Sequence, residues 1–133
     1  MKLMVAMTLT ELLVAVVIVG VLASFALPTF AKATHQQQCR NARAVLLTIY
    51  TGERRYFLDN QTYRQVPPPG TADEWRLINV EDPNVASVPV EFSVPSAGAA
   101  GFTAQANIGP LSGSPMSINQ ARVLTAGECD GLL

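Results

Sequence analysis

Glu11-Leu12-Leu13-Val14-Ala15-Val16-Val17-Ile18-Val19-Gly20-Val21-Leu22-Ala23-Ser24-Phe25-Ala26-Leu27-Pro28-Thr29-Phe30-Ala31 decides the fold of this chain. After the carboxylate of Glu11 no charge occurs until Lys32. At about 1.5 Å rise per residue, this run forms a helix of roughly 30 Å, enough to cross bilayer hydrocarbon. A membrane anchor close to the N-terminus is the first expectation. An ionised carboxylate at such a boundary costs about 2.5 to 3.5 kcal/mol on insertion scales, so Glu11 either marks the aqueous edge or has a partner.

Outward from the run, 133 residues leave room for one small domain behind the anchor. A formal charge of -1 and 14% charged residues give no global attraction to nucleic acid. Beyond Pro28 the apolar pattern becomes one-sided: Cys39, Ala42, Val45, Leu46, Ile49, Tyr50, Tyr56 and Phe57 recur at spacings of three and four. The helix therefore continues as an amphipathic half over residues 32–58, and from Met7 to Leu58 it would measure about 78 Å. Asp59-Asn60-Gln61-Thr62 supplies turn chemistry to end it.

Residues 59–87, with Pro67-Pro68-Pro69-Gly70, read as a connecting loop. Val88, Val90, Phe92 and Val94 alternate, as do Phe102, Ala104, Ala106 and Ile108, and residues 116–124 are strand-like though less regular. Connections at 96–101 and 109–114 make these pieces an antiparallel meander within 88–125, followed by a C-terminal tail. The predicted class is α+β, a long N-terminal helix whose amphipathic half packs on a small sheet of three to four strands.

Ala6, then Met7-Thr8-Leu9-Thr10-Glu11-Leu12-Leu13-Val14, Gly20 and Ala26-Leu27-Pro28 resemble the N-terminal signature of type IV pilins and type II secretion pseudopilins. The resemblance implies a leader, residues 1–6, cut by a prepilin peptidase between Ala6 and Met7, with Met7 then methylated. It departs from the family's commoner Gly and Phe at those two positions. Glu11 would pair with the terminal amine of a neighbouring subunit, a favourable charge pair in low dielectric. Residues 7–31 would serve first as an inner-membrane anchor and then as filament core. Between Gly20 and Pro28, which both weaken a helix, residues 21–27 would lose helical structure on packing. Residues 59–133 would form the globular head, and the Glu53 to Tyr63 stretch also resembles the family.

The resemblance implies a structural subunit of a type IV pilus, not an enzyme and with no cofactor, whose partners are copies of itself or other pilins, the inner membrane and the assembly machinery. The other family reading is a pseudopilin in a periplasmic piston filament for protein export. A secreted binding domain or enzyme released at Ala23-Ser24-Phe25-Ala26 is the reading from a different class. Lys2 against Lys32, Arg40 and Arg43 would by charge alone put the head in the cytoplasm, whereas the resemblance puts it outside, and long domains translocate largely regardless of charge.

Cys39 and Cys129 either form a disulfide or remain two separate thiols. His35 lies among glutamines and suits a solvated or subunit-contacting role. Glu128 and Asp130 offer oxygens to calcium but read more simply as a solvated tail, so no metal site is assigned. Asn60-Gln61-Thr62 is a glycosylation sequon that a turn explains equally well. Arg40, Arg43, Arg54 and Arg55 form a basic zone suited to an inter-subunit face rather than nucleic acid, and Phe25, Phe30, Tyr50, Tyr56 and Phe57 read as packing residues.

Overall fold

The computed structural model describes residues 6–85, 89–109 and 113–133. Most of the leader, the start of the first expected strand at Val88, and 110–112 of the second connection lie outside the described residues. The chain divides into two compact units, Met1–His35 and Gln36–Leu133. Helix α1, Leu9–Asn60, contributes to both.

In the first unit α1 opens on a reciprocal cap. The Glu11 amide donates to Thr8 Oγ1 at 3.3 Å, while the Thr8 amide donates to Glu11 Oε2 at 3.3 Å. This S/T-x-x-E box satisfies two of the donors that a helix start leaves open. Further along, Ser24 and Thr29 donate their hydroxyls to the carbonyls of Gly20 and Phe25 at 2.9 and 3.2 Å. Each hydroxyl is thus satisfied within the helix, which lets it lie in an apolar surrounding. Pro28 sits inside α1, and residues 21–27 are helical in the single chain.

In the second unit, Cys39, Ala42, Leu46 and Ile49 form the buried stripe of α1, with Gly52 and Glu53 continuing it. Val45, Tyr50, Tyr56 and Phe57 flank that stripe and are partly buried against the core. The helix ends at Asn60, two residues beyond the expected Leu58, where Gln61 takes a positive φ of 57° and donates its amide to Phe57 O at 2.8 Å. A single left-handed residue of this kind is a common helix stop.

The loop expected over 59–87 contains regular structure. Helix α2, Ala72–Leu77, starts from Thr71, whose side chain accepts from the Glu74 amide while Glu74 reaches back to the Thr71 amide. Thr71-Ala72-Asp73-Glu74 is a second capping box, a local signal outweighed in the reading by the preceding proline run. The short helix buries Trp75 completely.

The sheet has the order β1-β2-β3-β4, all antiparallel: β1 Val90–Ala97, β2 Phe102–Ile108, β3 Met116–Asn119 and β4 Leu124–Thr125. β2 has the expected bounds, while β1 extends past Val94 through an irregularity in register between Ser93 and Ser96 that accommodates Pro95. The piece expected as one strand over 116–124 instead turns back after Asn119. There Asn119 Oδ1 accepts from the amides of Ala121 and Val123, each at 3.0 Å, and Arg122 adopts φ 61°. Side-chain capture of nearby amides is what makes Asn a turn former, and it overrides the strand pattern.

Edge strand β1 is covered rather than open. Val66 pairs with Val94 through two backbone hydrogen bonds, and Asn84 exchanges hydrogen bonds with the Phe92 backbone at 2.8 and 3.0 Å. Such cover prevents uncontrolled strand addition. The head core joins Leu46 and Ile49 of α1 to Trp75, Phe92, Ala104, Met116 and Ile118. An N-terminal apolar helix whose second half packs on a four-stranded antiparallel sheet is a pilin-like architecture.

Gly52 marks the closest approach of α1 to the segment after α2. A Cβ placed there would collide with the Ile78 carbonyl oxygen and lie 2.8 Å from Val80 Cγ2. Alanine gains about 1 kcal/mol of helix propensity, but overpacking against backbone costs about 1–3 kcal/mol. Gly52→Ala is therefore expected to lower the denaturation midpoint of the full chain in detergent; an unchanged or raised midpoint would show that the segment yields freely.

Candidate functional site

The first candidate region is the start of α1. Ala6 and Met7 precede the helix in exposed, non-helical backbone, so the bond between them is sterically open. Glu11 stands in the first turn with its carboxylate accepting from both the amide and the hydroxyl of Thr8. Capping is a contribution that charge alone does not reveal, and it gives Thr8 a role beyond its place in the signature; the Thr8-x-x-Glu11 spacing was the available signal. Behind it α1 exposes its apolar side chains all round, with Leu22 64%, Phe25 73% and Phe30 74% exposed. Phe25 and Phe30, expected as packing residues, are therefore mostly exposed in the single chain. The most apolar 18-residue window of α1 has mean hydropathy 2.5 and no buried residue. A helix apolar on every face lies in a membrane or in a larger assembly. Around Gly20 a Cβ would meet nothing within 4 Å, so the glycine is not required by packing within the subunit.

The second region lies in the head. Cys39 and Cys129 are joined in a disulfide with Cα atoms 5.7 Å apart, tying α1 to the C-terminal turn Gly127–Cys129. Beside it, Gln36 Nε2 donates to Leu132 O at 3.3 Å. Disulfides persist in oxidising compartments, so the bond points to an extracytoplasmic head, as the apolar helix points to membrane anchoring or export. Glu128, expected as part of a solvated tail, is half-buried with its side chain filling the space a Cβ on Gly113 would need. Among the described residues His, Cys, Asp and Glu form no group of three suited to a metal.

Glu53 is a buried carboxyl group on α1. It is 0% exposed, its Oε2 accepts the Arg64 amide at 2.9 Å, and its Oε1 has no partner among the described residues. Burial pushes its pKa up to about 7, against the opposing pull of the Arg64 amide and charge. A carboxylate at a stripe position was invisible to an apolar pattern; its spacing of four from Ile49 was the signal. Nearby, Phe57 stacks on Tyr63 at 4.6 Å and Tyr63 meets Phe102 at 4.8 Å, fixing the end of α1 to the sheet. Arg54 Nη1 donates to the Tyr63 hydroxyl at 3.4 Å, which holds the Arg54 pKa above its ordinary value. Arg40, Arg43 and Arg55 are exposed, and Asn60 of the sequon is exposed at the helix end.

No protein-family model matches the chain, and no curated protein matches it.

Proposed function

We propose that the chain is a structural subunit of a type IV pilus filament, held in the bacterial inner membrane by α1 and then drawn into a helical fibre. The reading rests on one observation: a helix apolar on every face begins at a carboxylate and carries an oxidised α+β head. In the membrane the apolar half of α1 is satisfied by lipid. On assembly it exchanges lipid for neighbouring helices, and Glu11 exchanges its Thr8 cap for the amine of a processed neighbour. Residues 21–27, helical in the single chain, unwind in the packed fibre, the proline and glycine lowering the cost.

The charge and the cap of Glu11 are separable. Glu11→Gln keeps an oxygen for the Thr8 amide and removes the charge, whereas Glu11→Ala removes both. Filament yield is expected to fall by about tenfold or more in both variants, with membrane insertion retained, because a buried amine without its counter-charge is strongly unfavourable. Wild-type yield from Glu11→Gln would refute the pairing. Mass spectrometry of assembled protein should find methylated Met7 at the N-terminus; a start after Ala26 would remove the pilin reading. Filaments retained in a deletion strain with a protein-export defect would instead identify the pseudopilin role.

A further inference from the structure

Charge is segregated in the head. Helix residues 36–60 carry Arg40, Arg43, Arg54 and Arg55 against Asp59 and the buried Glu53, whereas residues 61–133 carry three arginines against seven carboxylates. Position on the helix separates Arg40, Arg43 and Arg54 from Glu81 further, whereas Arg55 lines a different cleft with Gly52 and Arg76. At about 3.6 residues per turn, Arg40 and Arg43 lie on the flank that carries Leu47, Tyr50 and Arg54. This is the side on which Tyr50 meets Phe102 of β2. Val45 and Thr48 lie on the other side of the buried stripe, where they line an open groove of about 470 Å³ with Val80, Glu81, Asp82 and Val85. Val85 is 77% exposed at the rim of that groove.

Among the described residues the one ion pair is Arg76 with Asp73. Arg40, Arg43 and Glu81 are thus exposed charges with no opposite charge at ion-pair distance. Asp82 is already engaged, its Oδ1 accepting the Asn84 amide at 2.9 Å. One head therefore presents a basic flank and, across the helix, an acidic flank with an apolar groove.

We infer that these two flanks are the halves of one inter-subunit contact, in which Arg40 and Arg43 of one copy seat against Glu81 and the Val45–Val85 groove of the next. The occupant of the groove is a second copy of this chain, because the complementary charge is on the same molecule. Two different surfaces meeting head to tail give a heterologous interface, which propagates as an open helix unless it closes into a ring. The basic zone thus recognises protein carboxylates rather than phosphate. This assignment rests on the filament reading, but it concerns the heads and is independent of Glu11.

A charge swap in the full-length chain tests it. Arg40→Glu with Arg43→Glu, and separately Glu81→Arg, are each expected to lower sheared-filament yield by about tenfold, since like charges then face each other. Combining all three changes should restore filaments, because the signs are exchanged and attraction returns. Membrane level of the subunit and oxidation of Cys39 and Cys129 report that each variant folds. Asp82 is left intact because it holds Asn84. Wild-type yield from either set alone, or failure of the combination to recover while the wild type assembles and every variant folds, overturns the contact. A wild-type chain that forms no filament overturns the filament reading itself, with or without the swap.

Discussion

Replacing both Cys39 and Cys129 by serine is expected to destabilise the head by about 4–5 kcal/mol, the loop-entropy value for a link of this span. The two residues are 90 apart in sequence, so the bond removes much of the freedom of the unfolded head. Small domains are stable by only about 5–15 kcal/mol, so the loss takes a large share of the total. It also loosens the C-terminal segment, where Gln36 of α1 donates a hydrogen bond to Leu132. Denaturant titration of the full chain in detergent should show the midpoint falling, and reductant should lower the wild type to the level of the double variant. Equal midpoints for oxidised wild type and double serine variant would show that packing alone holds the C-terminus.

Acidification is expected to stabilise the head through Glu53. Its folded pKa of about 7 lies above the ordinary 4.5, so the folded state holds this proton more tightly than the unfolded chain. The contribution is complete below the unfolded value, falls as the pH rises through the folded one, and then levels off. A shift of this size corresponds to about 3 kcal/mol between the two limits. The physical cause is the fully enclosed carboxyl, with the Arg64 amide on one oxygen and no partner among the described residues on the other. Glu53→Gln keeps an acceptor for that amide and cannot ionise. The variant and the wild type should have similar unfolding free energies at pH 4, while at pH 8 the variant should be more stable. Taking the difference between the two proteins cancels the contributions of other groups. A difference that does not change with pH would show that Glu53 is ionised in the folded head.

The apolar run, the amphipathic continuation and the bounds of β2 were legible because each is a periodic signal confined to one element. Helix α2 was equally local, but its capping box stood next to a proline run that suggested irregular chain. The return of the chain at Asn119 depends on one side chain taking two amides, which periodicity does not record. Glu53 was hidden for a different reason. A carboxylate in a buried stripe contradicts the pattern that identifies the stripe, and its hydrogen bond reaches from α1 into the loop that follows.

By itself the sequence determined that an uncharged helix begins at a carboxylate, continues amphipathically and is followed by an antiparallel meander. Those features follow from hydropathy and local backbone preference, which act over a few residues. Only the tertiary structure decided that Cys39 meets Cys129, that Glu53 is enclosed, and that Arg43 and Glu81 stand on opposite flanks of α1. Each depends on how distant segments pack around the helix, where sequence separation gives no measure of distance in space.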